Sequence, residues 1–300
     1  MPVTLKDKYQ QFFTELKKAS HAAAKIDENC IYQEANLETR KYMNYLLKDN
    51  VLKGSGLGNI EYFKAFYDAV TKEGKNGVVM MEHFSNLDLP IFLYLLEQTG
   101  EEWAKDFASR IVAIAGMKLN EANEGVRAFT EGFTRVVIYP TRSLDSLKAK
   151  GWTDEQIDEE QKRARKINFA AMRAMDGCKK RGQIILVFPS GTRYRPGKPE
   201  TKRGLREIDS YMRLFDILIP VSINGSCLLI NPENPDDMLA DIVNPDVIRM
   251  TASPIVECKK FRNSILEKVP VDDPDPKQKT VDAHMSIMEE MHDKVEKEQK

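Results

Sequence analysis

"GVVMMEHFSNLDLPIF", residues 77–92, passes from an apolar run through a polar turn into a second apolar stretch. The first part has β-branched and long apolar residues without alternation, the pattern of a strand buried on both faces of a sheet. The second part continues as "LPIFLYLLEQ", and Pro90 suits a first helical turn, where its missing N–H costs nothing. The junction between them carries His83 and Asp88, five positions apart.

Three other runs resemble the first: "RVVIYP" (135–140), "QIILVFP" (183–189) and "ILIPVSI" (217–223). Helical patterns at 88–98, about 102–110 and 153–181 separate them. Alternating strands and helices predict an α/β fold, with a mixed, largely parallel sheet flanked by helices. Upstream, helical stripes run through Leu5, Tyr9, Phe12, Phe13 and Leu16, then Leu37 to Leu47, then Ile60, Phe63, Phe66, Tyr67 and Val70, with "KGSGLGN" (53–59) as a break. No β-like run precedes residue 77, so two domains are expected, a helical bundle over 1–75 and an α/β domain over 76–300. "EKVPVDDPDPKQK" (267–279) reads as a polar linker, followed by a C-terminal helix marked by Val281, Met285, Met288, Met291 and Val295. "DEQIDEEQKRARK" (154–166) reads as a solvated helix face.

Forty-five basic against 46 acidic residues leave a formal charge of −1, which gives no reason to expect nucleic acid as a general partner. Cys30, Cys178, Cys227 and Cys258 are scattered and form no CxxC pair, so buried free thiols are expected and no metal site. No apolar run approaches the roughly 20 residues that span a bilayer. The N-terminus lacks a signal-peptide core and a transit-peptide composition. A soluble, cytoplasmic protein is the expectation, or one of the plastid stroma if a transit peptide has been removed.

Polar residues with chemical potential follow each run, where open α/β sheets place their ligands. Imidazole can act as a general base, which makes His83 a candidate, and Asp88 is placed to hold its other nitrogen. The competing reading makes Asp88 or Asn86 a helix cap and His83 a surface turn residue. "FPSGTRYRPGK" (188–198) sets Arg193 and Arg195 two positions apart behind Gly191. Guanidinium groups grip phosphate bidentately, and Arg142 beside the 135–140 run adds a third charge. A solvated basic loop is the alternative. No Walker loop and no G-x-S-x-G elbow is present, and Ser190 reads as loop structure.

Together, His83-Phe84-Ser85-Asn86-Leu87-Asp88, "GFTRVVIYPTR" (132–142), Phe188-Pro189-Ser190-Gly191-Thr192-Arg193 and Ile219-Pro220-Val221-Ser222-Ile223 resemble the four ordered blocks of the HxxxxD glycerolipid acyltransferases. The likeness covers roughly 77–225. "PSGTRYRP" is more similar to the soluble, plastid-type glycerol-3-phosphate acyltransferases than to lysophosphatidate acyltransferases, which usually have Glu where Ser190 stands. The resemblance implies a catalytic domain over 76–300, with His83 as base, Asp88 as its orienter, and Arg193 and Arg195 as phosphate ligands. A Lys-His pair of the plastid-type enzymes is replaced here by Arg142-Ser143.

The implied reaction is acyl transfer from an acyl-carrier-protein or coenzyme A thioester to the sn-1 hydroxyl of glycerol 3-phosphate, without cofactor or metal. The alternatives are a 1-acylglycerol-3-phosphate acyltransferase and a non-catalytic phosphate- or lipid-binding relative. Backbone amides in the 84–88 turn or around 190–192 are candidate oxyanion donors. Ile91, Phe92, Tyr94 and Leu95 are candidate walls of an acyl slot, although they are core-like by period and core packing is their default role. Lys148, Lys150, Lys198, Lys202, Arg203 and Arg206 are candidates for meeting an acidic carrier protein.

Overall fold

The structure is a computed structural model, which describes residues 2–22, 25–121, 123–140, 147 and 151–298. Its strands among these residues are β1 Tyr32–Gln33, β2 Gly56–Gly58, β3 Gly77–Met81, β4 Ile111–Gly116, β5 Arg135–Ile138, β6 Ile184–Val187, β7 Ile217–Asn224, β8 Leu228–Leu229, β9 Ile242–Val243, β10 Arg249–Ala252 and β11 Val256–Glu257. The mixed, mostly parallel α/β architecture expected from the sequence is the one observed. The four expected strands appear as β3, β5, β6 and β7.

The chain forms two compact units. The first contains residues 1–8, 45–111 and 182–300. Its strand order is β6-β3-β7-β10-β2. β3 runs parallel to both β6 and β7, with Val79 opposite Leu186 and Ile219, while β10 is antiparallel to β7 and parallel to β2. Every residue of β3, β6 and β7 is buried, which is why their apolar runs do not alternate. Helices Ile60–Thr71, Asp88–Gln98 and Glu102–Arg110 share an aromatic cluster. Phe63, Phe66, Phe92 and Phe107 are fully buried, with ring centroids 5.7 Å apart for Phe63 and Phe92 and 5.9 Å for Phe66 and Phe107. Each such ring contributes roughly 2–3 kcal/mol of burial. Gly77 opens β3 because a Cβ there would stand 2.6 Å from Phe66 and 2.7 Å from Val70.

The second unit contains residues 9–44 and 112–181, with β1 antiparallel to β5 and β4 parallel to it. Helix Asp154–Lys180 lies against β5, where Asn168 clamps the main chain of Tyr139 by accepting from its N–H and donating to its carbonyl. The helix begins with a capping box between Thr153 and Gln156, and its first turns carry the ion pairs Lys162–Asp158 and Arg163–Glu160 of a solvated face.

One expectation needs amendment. The first 75 residues, though mainly helical, are not free of β structure: β1 and β2 are two and three residues long, too short for a periodicity to mark, and exist through pairing with β5 and β10. Of this segment, 1–8 and 45–75 lie in the first unit and 9–44 in the second. β4, "IVAIAG", is a further strand that sequence reading did not mark. Cys178, Cys227 and Cys258 are buried free thiols as expected, and Cys30 is half-buried. Burial pushes Cys227 and Cys258 up to about 12, so neither supplies a thiolate near neutrality. Among the described residues, no helix is long and apolar enough to cross a membrane.

β7 is followed by Gly225, whose φ is +84°, and a Cβ there would fall 2.2 Å from the Val247 carbonyl oxygen. Gly225→Ala is therefore expected to lower stability by about 2 kcal/mol or more, measured as a leftward shift of the urea denaturation midpoint. An unshifted midpoint would show that the β7–β10 connection is not strained by a side chain.

Candidate active site

β3 stops at Met81, and the chain turns through 84–87 into the helix that begins at Asp88. Asp88 is 3% exposed, and its carboxylate turns back on the turn that precedes it. Oδ2 accepts from the Phe84 N–H at 2.6 Å and the Ser85 N–H at 2.9 Å, and Oδ1 accepts from Ser85 Oγ at 2.8 Å. His83 Nδ1 lies 2.9 Å from the same Oδ2. An ionised carboxylate only accepts, so Nδ1 is the protonated nitrogen and Nε2 carries the lone pair. Nε2 has no hydrogen-bond partner among the described residues. The ring is stacked on Phe188, centroids 4.0 Å apart and planes 16° from parallel, and the His83 carbonyl accepts from the Tyr194 N–H at 2.8 Å. Asp88 is thus not a cap of its own helix. Neither is Asn86, whose amide donates to Asp241 Oδ2 at 3.0 Å.

His83 lines a cavity of about 70 Å³. Ser190, Tyr194, Thr201 and Lys202 contribute from the 188–202 loop, and Met285, Met288 and Glu289 from the C-terminal helix Pro276–Glu298. That helix lies against β7. Beside His83, the buried Glu82 accepts from the Ile223 N–H at 2.8 Å and meets His292 Nδ1 at 3.0 Å. Asn224 donates to the His292 carbonyl, so the helix is held to the end of β7 at two points. The bond to Glu82 raises the His292 imidazole above its ordinary value, against the pull of burial.

The 188–198 loop turns at Gly191, with φ +62° and its N–H on the Phe188 carbonyl. Ser190 Oγ donates to the Thr192 carbonyl at 2.7 Å, which commits its proton to the loop. Arg193 is buried and gives Nη1 to Asp241 Oδ2. Burial pushes the Asp241 carboxyl up to about 6, although Arg193 and Asn86 oppose the shift. Arg195 is half-buried, and its Nη2 donates to the exposed Asp236 at 2.8 Å. The structure thus brings His83 to Asp88 and ties 193–195 to them through the Tyr194 N–H, but directs both guanidiniums toward carboxylates. Arg142 lies outside the described residues, as do Lys148 and Lys150.

Several expectations change here. The amides of Phe84, Ser85 and Leu87 are taken by Asp88 and by Ser85 Oγ, and that of Gly191 by Phe188, so none of these four faces an oxyanion. Ile91, Phe92 and Leu95 are buried core residues, the default reading of their period, in a helix buried on most of its circumference. Of the six basic residues considered for a carrier protein, Lys202 lines the His83 cavity and Arg206 pairs with Asp275 at 2.7 Å. Sequence reading missed Glu82, Asp241 and His292. Only Glu82 had a signal, a lone carboxylate inside an apolar strand end.

Two expectations follow from the buried pairs. Arg193→Met should cost about 3–5 kcal/mol, because it strands the Asp241 carboxylate, and the Arg193→Met/Asp241→Asn double variant should recover part of it. Strict additivity in chemical denaturation would deny the coupling. For His292, the raised folded value means that its stabilising contribution is complete below its unfolded value of about 6.5 and fades as pH rises through the folded one. The Tm advantage of wild type over His292→Gln should therefore shrink between pH 6 and pH 9. An advantage that grew over this range would place the neutral ring in the contact.

The Acyltransferase family matches residues 59–224, more than half of the chain and the whole span from before β3 to the end of β7. No curated protein matches the chain. A buried carboxylate that fixes one nitrogen of a histidine and leaves the other open suits transfer of an acyl group to a hydroxyl, and on the family match the chain belongs to the acyltransferase family.

Proposed function

We propose that this protein transfers a fatty acyl group from an acyl thioester, carried by acyl carrier protein or coenzyme A, to the sn-1 hydroxyl of glycerol 3-phosphate. The observation that supports it most is the His83–Asp88 couple, with Nδ1 tied to a buried carboxylate and Nε2 open beside a cavity. In this reading Nε2 takes the proton of the acceptor hydroxyl as its oxygen attacks the thioester carbonyl. Asp88 stabilises the imidazolium that forms. The tetrahedral intermediate expels the thiolate, the C–S bond breaks, and the thiolate takes the proton from Nε2. No enzyme nucleophile is needed, which agrees with a Ser190 hydroxyl committed to the Thr192 carbonyl.

Arg193 and Arg195, joined by Arg142, are assigned to the acceptor phosphate. Asp241 orients the Arg193 guanidinium in advance, and orientation of this kind supplies several kcal/mol toward a barrier. The reading of 76–300 as the catalytic domain belongs to the same proposal.

The test is incubation of the purified protein with a long-chain acyl thioester and glycerol 3-phosphate, followed by detection of 1-acylglycerol 3-phosphate. Product only from a lysophosphatidate acceptor would replace the proposed acceptor, and no product from either would leave a binding protein. His83→Ala is expected to lower kcat by about 10³-fold or more, and Asp88→Asn by a comparable factor, with far-UV circular dichroism unchanged. Near-normal turnover by His83→Ala would remove the base.

A further inference from the structure

We propose that Lys202 is a phosphate-binding residue of the His83 cavity, supplying the ammonium that grips the acceptor's phosphate. The inference rests on glycerol 3-phosphate as the acceptor, and it concerns a residue outside the family's ordered blocks. Four observations carry it.

Lys202 is the only Lys or Arg among the described residues that line the cavity. The two arginines of the 188–198 loop that are assigned to the phosphate already share their charge with carboxylates, Arg193 with Asp241 and Arg195 with Asp236, and neither lines the cavity itself. Lys202 has no carboxylate within 4.0 Å among the described residues, although Glu289 lines the same cavity. Its charge is therefore not neutralised by an ion pair. Fourth, its position is built. The chain reaches it through a short 3-10 turn, Pro199–Thr201, closed by the Lys202 N–H on the Pro199 carbonyl, and Thr201 Oγ1 accepts from the Arg195 N–H at 2.9 Å.

The ammonium stands 5.1 Å from the centroid of the Tyr194 ring, and the Tyr194 N–H is bonded to the His83 carbonyl. The ring under the ammonium and the histidine that would accept the proton thus belong to one hydrogen-bonded unit. A cation over an aromatic face keeps its donors for a ligand, because the ring attracts the charge without accepting its N–H groups in pairs. Ser190 and Thr201 offer no competing donor, since both hydroxyls donate to loop carbonyls, Ser190 to Thr192 and Thr201 to Lys198. A phosphate entering beside His83 meets the Lys202 ammonium within the cavity, in addition to the charges that the proposed function assigns to Arg142, Arg193 and Arg195.

The experiment is calorimetric titration of the full chain with glycerol 3-phosphate, using wild type, Lys202→Met and Lys202→Arg, with acyl transfer assayed in parallel. Loss of one charge-assisted contact should weaken Kd by about 10- to 100-fold in Lys202→Met, and Lys202→Arg should restore it to within about threefold. Equal Kd for wild type and Lys202→Met overturns the assignment, whatever the transfer assay shows. So does a Lys202→Arg variant as weak as Lys202→Met, because the charge would then not be what binds. Wild type that binds glycerol 3-phosphate with the expected Lys202 dependence but yields no acylated product would leave the phosphate site standing and remove the proposed transfer reaction.

Discussion

The Asp88 carboxylate is the constraint on which the rest of the site depends. It is almost wholly buried, and a buried charge is tolerated only where donors surround it. Four do: two main-chain N–H groups, one hydroxyl and one imidazole N–H, all from residues 83–85. Satisfying the charge fixes the turn, and the fixed turn presents the histidine. The same contacts that make the carboxylate affordable thus set the imidazole tautomer and hold the ring of a residue that lines the cavity. The Phe188 ring, stacked on the imidazole, confines the remaining rotation of the side chain.

Around that couple, two further buried carboxylates hold the surrounding elements. Glu82 joins the end of β3 to β7 through the Ile223 N–H and to the C-terminal helix through His292. Asp241 joins Asn86 of the 84–87 turn to Arg193 of the 188–198 loop. Elements distant in sequence are thereby tied to residues within four positions of His83. Because each tie is a charged or charge-assisted contact in a poorly solvated place, losing either partner costs more than the contact itself contributes. The C-terminal helix is in this respect part of the site, since it also supplies Met285, Met288 and Glu289 to the cavity.

Much of this was legible before any coordinates. Unalternating apolar runs marked β3, β5, β6 and β7, because strands buried on both faces have no polar side to show. Pro90 and the apolar period that follows marked the 88–98 helix. β1 and β2 escaped because their existence depends on a partner strand, and two or three residues hold no period to read; the six residues of β4 follow directly on the 102–110 helix. The pair His83 and Asp88 was visible as spacing alone, and spacing could not separate a couple from a cap.

Sequence by itself determined the α/β class, the position of the histidine and aspartate at a strand-to-helix junction, and the basic loop after β6, because each is written in contiguous residues. Only the tertiary structure decided which charges meet. Arg193 faces Asp241 across 48 positions of chain, and His292 faces Glu82 across 210. Local pattern holds no information about such pairs. They are chosen when the elements pack and each buried charge takes the nearest opposite partner that the packing brings to it.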